Sequence, residues 1–352
     1  MIAAHPIGYQ ATYKLSWLED PAKAHGTFTI AEGGDFTLGA VLADVSANTN
    51  TTTPWDGKSL TKAGTGVLQL TAKNLYTGPT TINAGVLKAG AADAFAKSSA
   101  LTIAADGILN LGGFSQAVSE GGAITNNGAI LFNSMNAGKA GTNSMSLTGN
   151  LTNAGTLDLD NGDNAVGKTL KIIGDWVGST NSLIKLAAFL GDGDDSVTDK
   201  VDITGVATGS TKVQVRNING AGKTGTTNGI TLITAGEDSA SGAFTLSTGT
   251  LTANGLVYSL LSKADSANQK VWYLSSAKNN DGDAPPAVPP VPGQPEVPPV
   301  PGQPEVPPAD AQPDIDHVAR PTIEAGTTLP FDFSRELTVE EKAKYVVNAE
   351  ET

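Results

Sequence analysis

The chain has 352 residues, a formal net charge of −13, 41 glycines, 16% charged residues, 5% aromatic residues and no cysteine. The acidic balance argues against a nucleic-acid partner and against an electrostatic hold on anionic membranes, since both need clustered Lys and Arg. The missing cysteines remove thiol catalysis, Cys-ligated zinc and disulfides, and they suit a chain that crosses an oxidising periplasm unfolded.

The first twenty residues, "MIAAHPIGYQATYKLSWLED", lack the basic start and long apolar run of a secretory signal. No stretch approaches the ~20 apolar residues of a membrane helix, so no transmembrane segment is expected. Residues 1–44 read as an N-terminal β segment of incomplete coils.

Short apolar runs preceded by glycine then recur: "GVLQL" at Gly66, "GVLKA" at Gly85, "GILNL" at Gly107, "GAILF" at Gly128 and "GTLDL" at Gly155. Before the later four stands a second short strand closed by a polar turn: "TINAG", "IAADG", "ITNNG" and "LTNAG". Strand, turn, glycine and alternating strand thus repeat about every twenty residues, which suits a parallel β-helix whose coils stack. Stacking at about 4.8 Å would align the inward Leu, Val and Ile into columns. The glycines are expected to supply a positive φ at sharp corners. Asn83, Asn126 and Asn153, each two residues before such a glycine, are expected to form an amide ladder. A β-sandwich would also use short strands, but its strands recur every 8–12 residues without this longer period.

The segment "GTGVLQLTAKNLYTGPTTINAGVLKAG" (64–90) resembles the autotransporter-associated β-strand repeat. The succession of "LGDGDDSVTDKVDITGVATGSTKVQVRNING" (190–220), "GITLITAGEDSASGAFTL" (229–246) and "YSLLSKADSANQKVWYLSS" (258–276) resembles the C-terminal passenger region of pertactin-like type V autotransporters. The resemblance implies an all-β, right-handed parallel β-helix passenger over 45–165 and an autochaperone-like region over 166–278. It also implies an outer-membrane β-barrel in the parent protein, cell-surface or secreted localisation, and an adhesin or virulence role toward an unknown host-surface or matrix ligand. An open coil end needs a cap, and Trp176, Phe189, Phe244, Tyr258, Trp272 and Tyr273 supply large apolar area there. Neither a signal peptide nor the alternating segments of a barrel is visible, so a passenger fragment or truncated reading frame is expected.

Residues 288–296, "VPPVPGQPE", repeat unchanged at 297–305. Such proline density favours an extended polyproline II spacer over 279–308. Residues 309–352 are expected to be a disordered tail with one short helix, capped by Thr338 with Glu341.

Asp192, Asp194, Asp195 and Asp199 crowd an acidic turn, and the first three in particular could hold Ca²⁺, yet the EF-hand and β-roll orders are absent. His5, His25 and His317 lie far apart in sequence and form no zinc spacing. Asp158, Asp160 and Asp163 form the best carboxylate cluster, on what reads as an exposed strand edge and turn. The alternative reading, a polysaccharide-active β-helix enzyme, would need such carboxylates to converge beside Arg or Lys in a groove. The chain is expected to be non-catalytic and to hold no cofactor or metal.

Overall fold

The computed structural model describes residues 26–45, 55–132, 143–191, 195–222 and 229–278. The Pro-rich segment, the tail, the three histidines and most of the loop at 133–145 lie outside them. The described residues form a 14-stranded and an 8-stranded sheet, and the chain winds through these as three ladders of mostly parallel strands.

The first ladder runs through Thr27–Thr29, Leu60–Ala63 and the start of Thr80–Ala89, and on through Ala123–Asn126 and Asn150–Asn153. The second runs through Asp35–Leu38, Val67–Leu70, Ala129–Leu131 and Thr156–Asp158. Long strands such as Thr80–Ala89, Ala100–Asn110 and Trp176–Phe189 turn a corner and serve both ladders. The third contains Ser144–Thr148, Thr169–Ile173, Lys200–Ile203 and Ile230–Gly236. This is a parallel β-helix, and among the described residues its stacked strands run from Thr27 onward.

Alternation within each short strand sends every second residue inward, and coil-on-coil pairing lines those residues up. One column reads Phe36, Leu68, Leu87, Leu109, Ile130, Leu157, Ile184, Val213, Leu246, with consecutive members paired in register. All nine are buried. At roughly 1.5–3 kcal/mol for each buried aliphatic side chain, such columns supply the main driving force for stacking. Outward, Thr27, Thr61, Thr81, Thr102, Thr125 and Thr152 form a matching external column. Threonine's β-branch suits this pleated, solvated face.

The corner glycines are required mainly for a reason other than φ. A Cβ at Gly155 would lie 2.1 Å from Gly128 O, and one at Gly128 would lie 2.2 Å from Gly107 O. Adjacent coils approach too closely there for any side chain. Among Gly66, Gly85, Gly107, Gly128 and Gly155, only Gly85 has a positive φ, of 67°.

The amide ladder forms in part. Asn126 pairs with Asn153 in the inner column that also contains Lys62, Ile82 and Ile103. Asn83 is exposed and takes no part. It sits at the register shift between Ile82 and Ala84, so Ile82 fills the inward position instead.

The stack does not stay parallel to its end. After Ile230–Gly236 the third ladder continues with antiparallel strands: Gln269–Lys278, then Leu256–Ala264, then Leu251–Ala253. The parallel coils therefore give way to a folded-back hairpin at the C-terminal side of the described stack.

Candidate functional site: interior stitches and the C-terminal cap

In the early coils, the third side of the winding has loops where later coils have strands, and buried side chains replace the missing ladder bonds. Leu42 N donates to Asn74 Oδ1 at 2.8 Å, while Asn74 Nδ2 donates to Ala94 O at 3.1 Å on the next coil. Gln116 repeats the device: its Oε1 accepts from Ala94 N at 2.9 Å and its Nε2 donates to Ala91 O at 2.8 Å. Asn74 thus joins the coil before it and the coil after it, while Gln116 ties its own coil to the one before, and both satisfy backbone groups that would otherwise be orphaned.

Two residues beyond Asn74, the Tyr76 hydroxyl lies 2.6 Å from Thr80 Oγ1, which lies 2.9 Å from Ser98 Oγ. Ser98 Oγ donates to Gly78 O at 3.0 Å. Burial pushes the Tyr76 phenol pKa above its ordinary value, so it stays neutral and hydrogen-bonded. The "NLYTGPTT" stretch therefore spells out an interior stitch.

Further along, a buried polar column links the middle coils to the last ones. Asn126 Nδ2 donates to Asn153 Oδ1 at 2.7 Å, and Asn153 Nδ2 donates to Ser182 Oγ at 2.6 Å. Thr211 Oγ1 donates to Ser182 Oγ at 3.0 Å and accepts from Trp176 Nε1 at 3.1 Å. Asn126 Oδ1 has no partner among the described residues, because the column turns aliphatic at Ile103 on that side.

The Trp176 ring opens onto the cap. Its centroid lies 6.0 Å from that of Phe244, and Phe244 meets Trp272 edge-to-face at 4.8 Å and 82°. Trp272 Nε1 donates to Ser241 O at 3.0 Å. Trp176, Phe244, Tyr258 and Trp272 are buried, as expected of cap residues. Phe189 is 38% exposed, because its strand position faces outward opposite Val197. Tyr273 is half-buried, with Lys263 Nζ 4.7 Å above its ring. The hairpin covers the last parallel strand of the third ladder, Ile230–Gly236, and shortens the remaining edge of that sheet to Leu251–Ala253 plus part of Leu256–Ala264. Closing an open coil end in this way protects both strand edge and core.

The carboxylates singled out from the sequence do converge, and each meets a cation. Asp158 pairs with Lys185 at 3.4 Å, Asp163 with Lys168 at 2.5 Å, and Asp160 with Arg216 through Nε at 2.8 Å and through Nη2. Hydrogen bonds donated to the Asp160 carboxylate hold the Arg216 guanidinium pKa above its ordinary value. Lys168 Nζ also donates to Leu159 O at 2.9 Å. Carboxylates neutralised in this way are tied into the loop after Leu159 and serve to pin it. Asp199, grouped from the sequence with the carboxylates of the acidic turn, belongs to the core instead. It is buried, accepts from Lys168 N at 2.9 Å and Ala187 N at 2.8 Å, and burial pushes its pKa up to about 6. The sequence signal for its burial is its place inside the apolar alternation "SVTDKVDI". Asp192 and Asp194 lie outside the described residues, while Asp195 is exposed. No cluster of three or more potential metal ligands exists among the described residues.

Comparison with known proteins matches both regions. Residues 60–89, which hold the Asn74 and Tyr76 stitches, match the Passenger-associated-transport-repeat model, and residues 126–260 match Autochaperone Domain Type 1. The uncharacterized protein YdeU of Escherichia coli K12 is 43% identical over 123 residues, 35% of this chain and 25% of the relative. The probable autotransporter YfaL of the same organism is 28% identical over 243 residues, 57% of this chain and 19% of the relative. The adhesin BmaC autotransporter of Brucella suis biovar 1 is 40% identical over 101 residues, 28% of this chain and 3% of the relative. The chain spans a quarter or less of the length of these relatives. The match to the transport repeat in the early coils and to the autochaperone domain toward the closed end of this β-helix supports a pertactin-like autotransporter passenger.

Proposed function

We propose that residues 166–278 form a folding template: the cap closes first and gives upstream coils a finished edge to pair with as the passenger crosses the outer membrane. The observation that carries this reading is the Trp176–Phe244–Trp272 cluster, which joins the last parallel coils to the antiparallel hairpin. The hairpin brings neighbouring strands together locally, so it avoids the long loop closure that parallel pairing requires. The finished passenger is displayed at the cell surface or secreted and acts without catalysis. An adhesin-type role finds support in the printed name of the Brucella relative.

The test is refolding of the full chain with Trp272→Ala. Truncating a buried Trp costs about 3–5 kcal/mol. Upstream coils should then regain protease resistance at least tenfold more slowly. Unchanged refolding kinetics, despite a measured loss of equilibrium stability, would overturn the template role. A Leu274→Ala variant, buried in the same hairpin but outside the aromatic cluster, separates the cluster's effect from general weakening.

A further inference from the structure

Lys62 is fully buried, in an inner column between Phe28 on one coil and Ile82 on the next. Its Nζ donates to Ala63 O at 3.0 Å, Gly64 O at 2.6 Å and Ala84 O at 3.0 Å. All three ammonium protons are satisfied, yet only by neutral carbonyls. None of the ion pairs of the described residues includes Lys62. The charged groups on the elements packed around it point elsewhere: Glu32, Asp35 and Asp106 are exposed, and Lys88 lies on the outward register of its strand. A buried cation without an anion raises the free energy of the state that buries it. The further coils of the same column place Ile82, Ile103 and the mutually bonded Asn126 and Asn153 here.

We propose that Lys62 makes the Thr27–Leu70 coils the weak part of the described stack, the first of it to open and the last to close, and that loss of its proton tightens them. As a device for ordering passenger folding from the cap toward Lys62, this rests on the template role above. The opening equilibrium itself does not. Burial holds the Lys62 pKa down to about 8, from 10.5. Unfolded or opened coils therefore bind the proton more tightly, and opening becomes rarer as pH rises from 8 toward 10.5. From those two values, the opening constant should fall about tenfold between pH 7 and pH 9.

The natural chain has no cysteine, so single-cysteine labelling reads opening directly. Leu68→Cys and Leu157→Cys are matched reporters, since both leucines are fully buried and share one column. In the full chain, with rates corrected for thiolate content at each pH, Leu68→Cys should label at least tenfold faster than Leu157→Cys at pH 7. It should gain about tenfold protection by pH 9, and Leu157→Cys should gain none. Lys62→Met should slow Leu68→Cys labelling at pH 7 and abolish its pH dependence. Equal labelling of the two reporters, a flat pH profile at Leu68→Cys, or faster labelling with Lys62→Met would each overturn the proposal. The pH arm needs no change at Lys62, so it decides the matter even where Lys62→Met fails to fold. Trp272→Ala reads the template role independently: it can fail while the Lys62 profile stands, and the reverse.

Discussion

Arg216 grips Asp160 across 56 residues of sequence, with Nε 2.8 Å from Oδ2 and 3.1 Å from Oδ1. The same guanidinium reaches Asn164 Oδ1 at 3.2 Å and Asp163 O at 2.5 Å, so one side chain holds the whole turn after Leu159. Arg216→Ala should lower stability by about 1–2 kcal/mol, a value discounted because the guanidinium is partly exposed. Arg216→Lys should recover little, because an ammonium cannot reproduce the planar fork. Urea unfolding of both variants checks this, and full rescue by lysine would contradict a bidentate clamp.

The polar column makes a second prediction. Asn153→Leu leaves the Asn126 amide and Ser182 hydroxyl short of a buried partner and should cost about 2–3 kcal/mol. Replacing Asn126 by Leu as well should recover part of that loss, because Ile82 and Ile103 already occupy the same column. A double-mutant cycle should therefore show a coupling of at least ~1 kcal/mol. Strict additivity would mean that the amides do not act as a unit.

Asp199 sets a pH dependence of opposite sense to an ordinary surface carboxylate. Its pKa is pushed up to about 6 from 3.8, chiefly by burial, which outweighs the backbone hydrogen bonds from Ala187 and Lys168. The folded chain therefore binds this proton more tightly than the unfolded chain does. The stabilisation is fully present below pH 3.8 and is lost as pH rises through about 6. The shift corresponds to ~3 kcal/mol between those limits. Asp199→Asn should remove this component, which appears as a difference between wild-type and variant urea midpoints at pH 4.5 and pH 7. Parallel pH profiles would count against it.

Two glycine substitutions separate close approach from backbone conformation. Gly155→Ala drives a Cβ to 2.1 Å from Gly128 O and should cost about 2–3 kcal/mol by forcing coils apart. Gly121→Ala meets nothing within 4 Å, but its φ is +74°, so about 1–2 kcal/mol of left-handed strain is expected. Thermal unfolding should rank Gly155→Ala as the more damaging. The reverse order would show that corner geometry, and not coil spacing, governs the glycine column.

How far the chain's own spelling reaches is visible in individual residues. Alternation of Leu, Val and Ile after each glycine announces the inward columns, because side-chain direction in a strand follows a period of two whatever surrounds it. The transport-repeat motif likewise marks Asn74, Tyr76 and Thr80 before any contact is known. Coil-to-coil register is another matter. Ile82 stands three residues before Gly85 and Asn126 two before Gly128, yet both occupy one column, because corners of different length absorb the offset. Counting back from glycine therefore placed Asn83 wrongly inside.

Strand pattern by itself determined that this chain winds and where its apolar faces lie, while the segment that closes it was implied by the family resemblance. Only the packed structure decided that Lys62 and Asp199 lose their water, that Asp160 meets Arg216, and that the last strands fold back antiparallel. Desolvation and pairing depend on neighbours 20 to 60 residues away, and a local pattern carries no record of which neighbour the stacking will deliver.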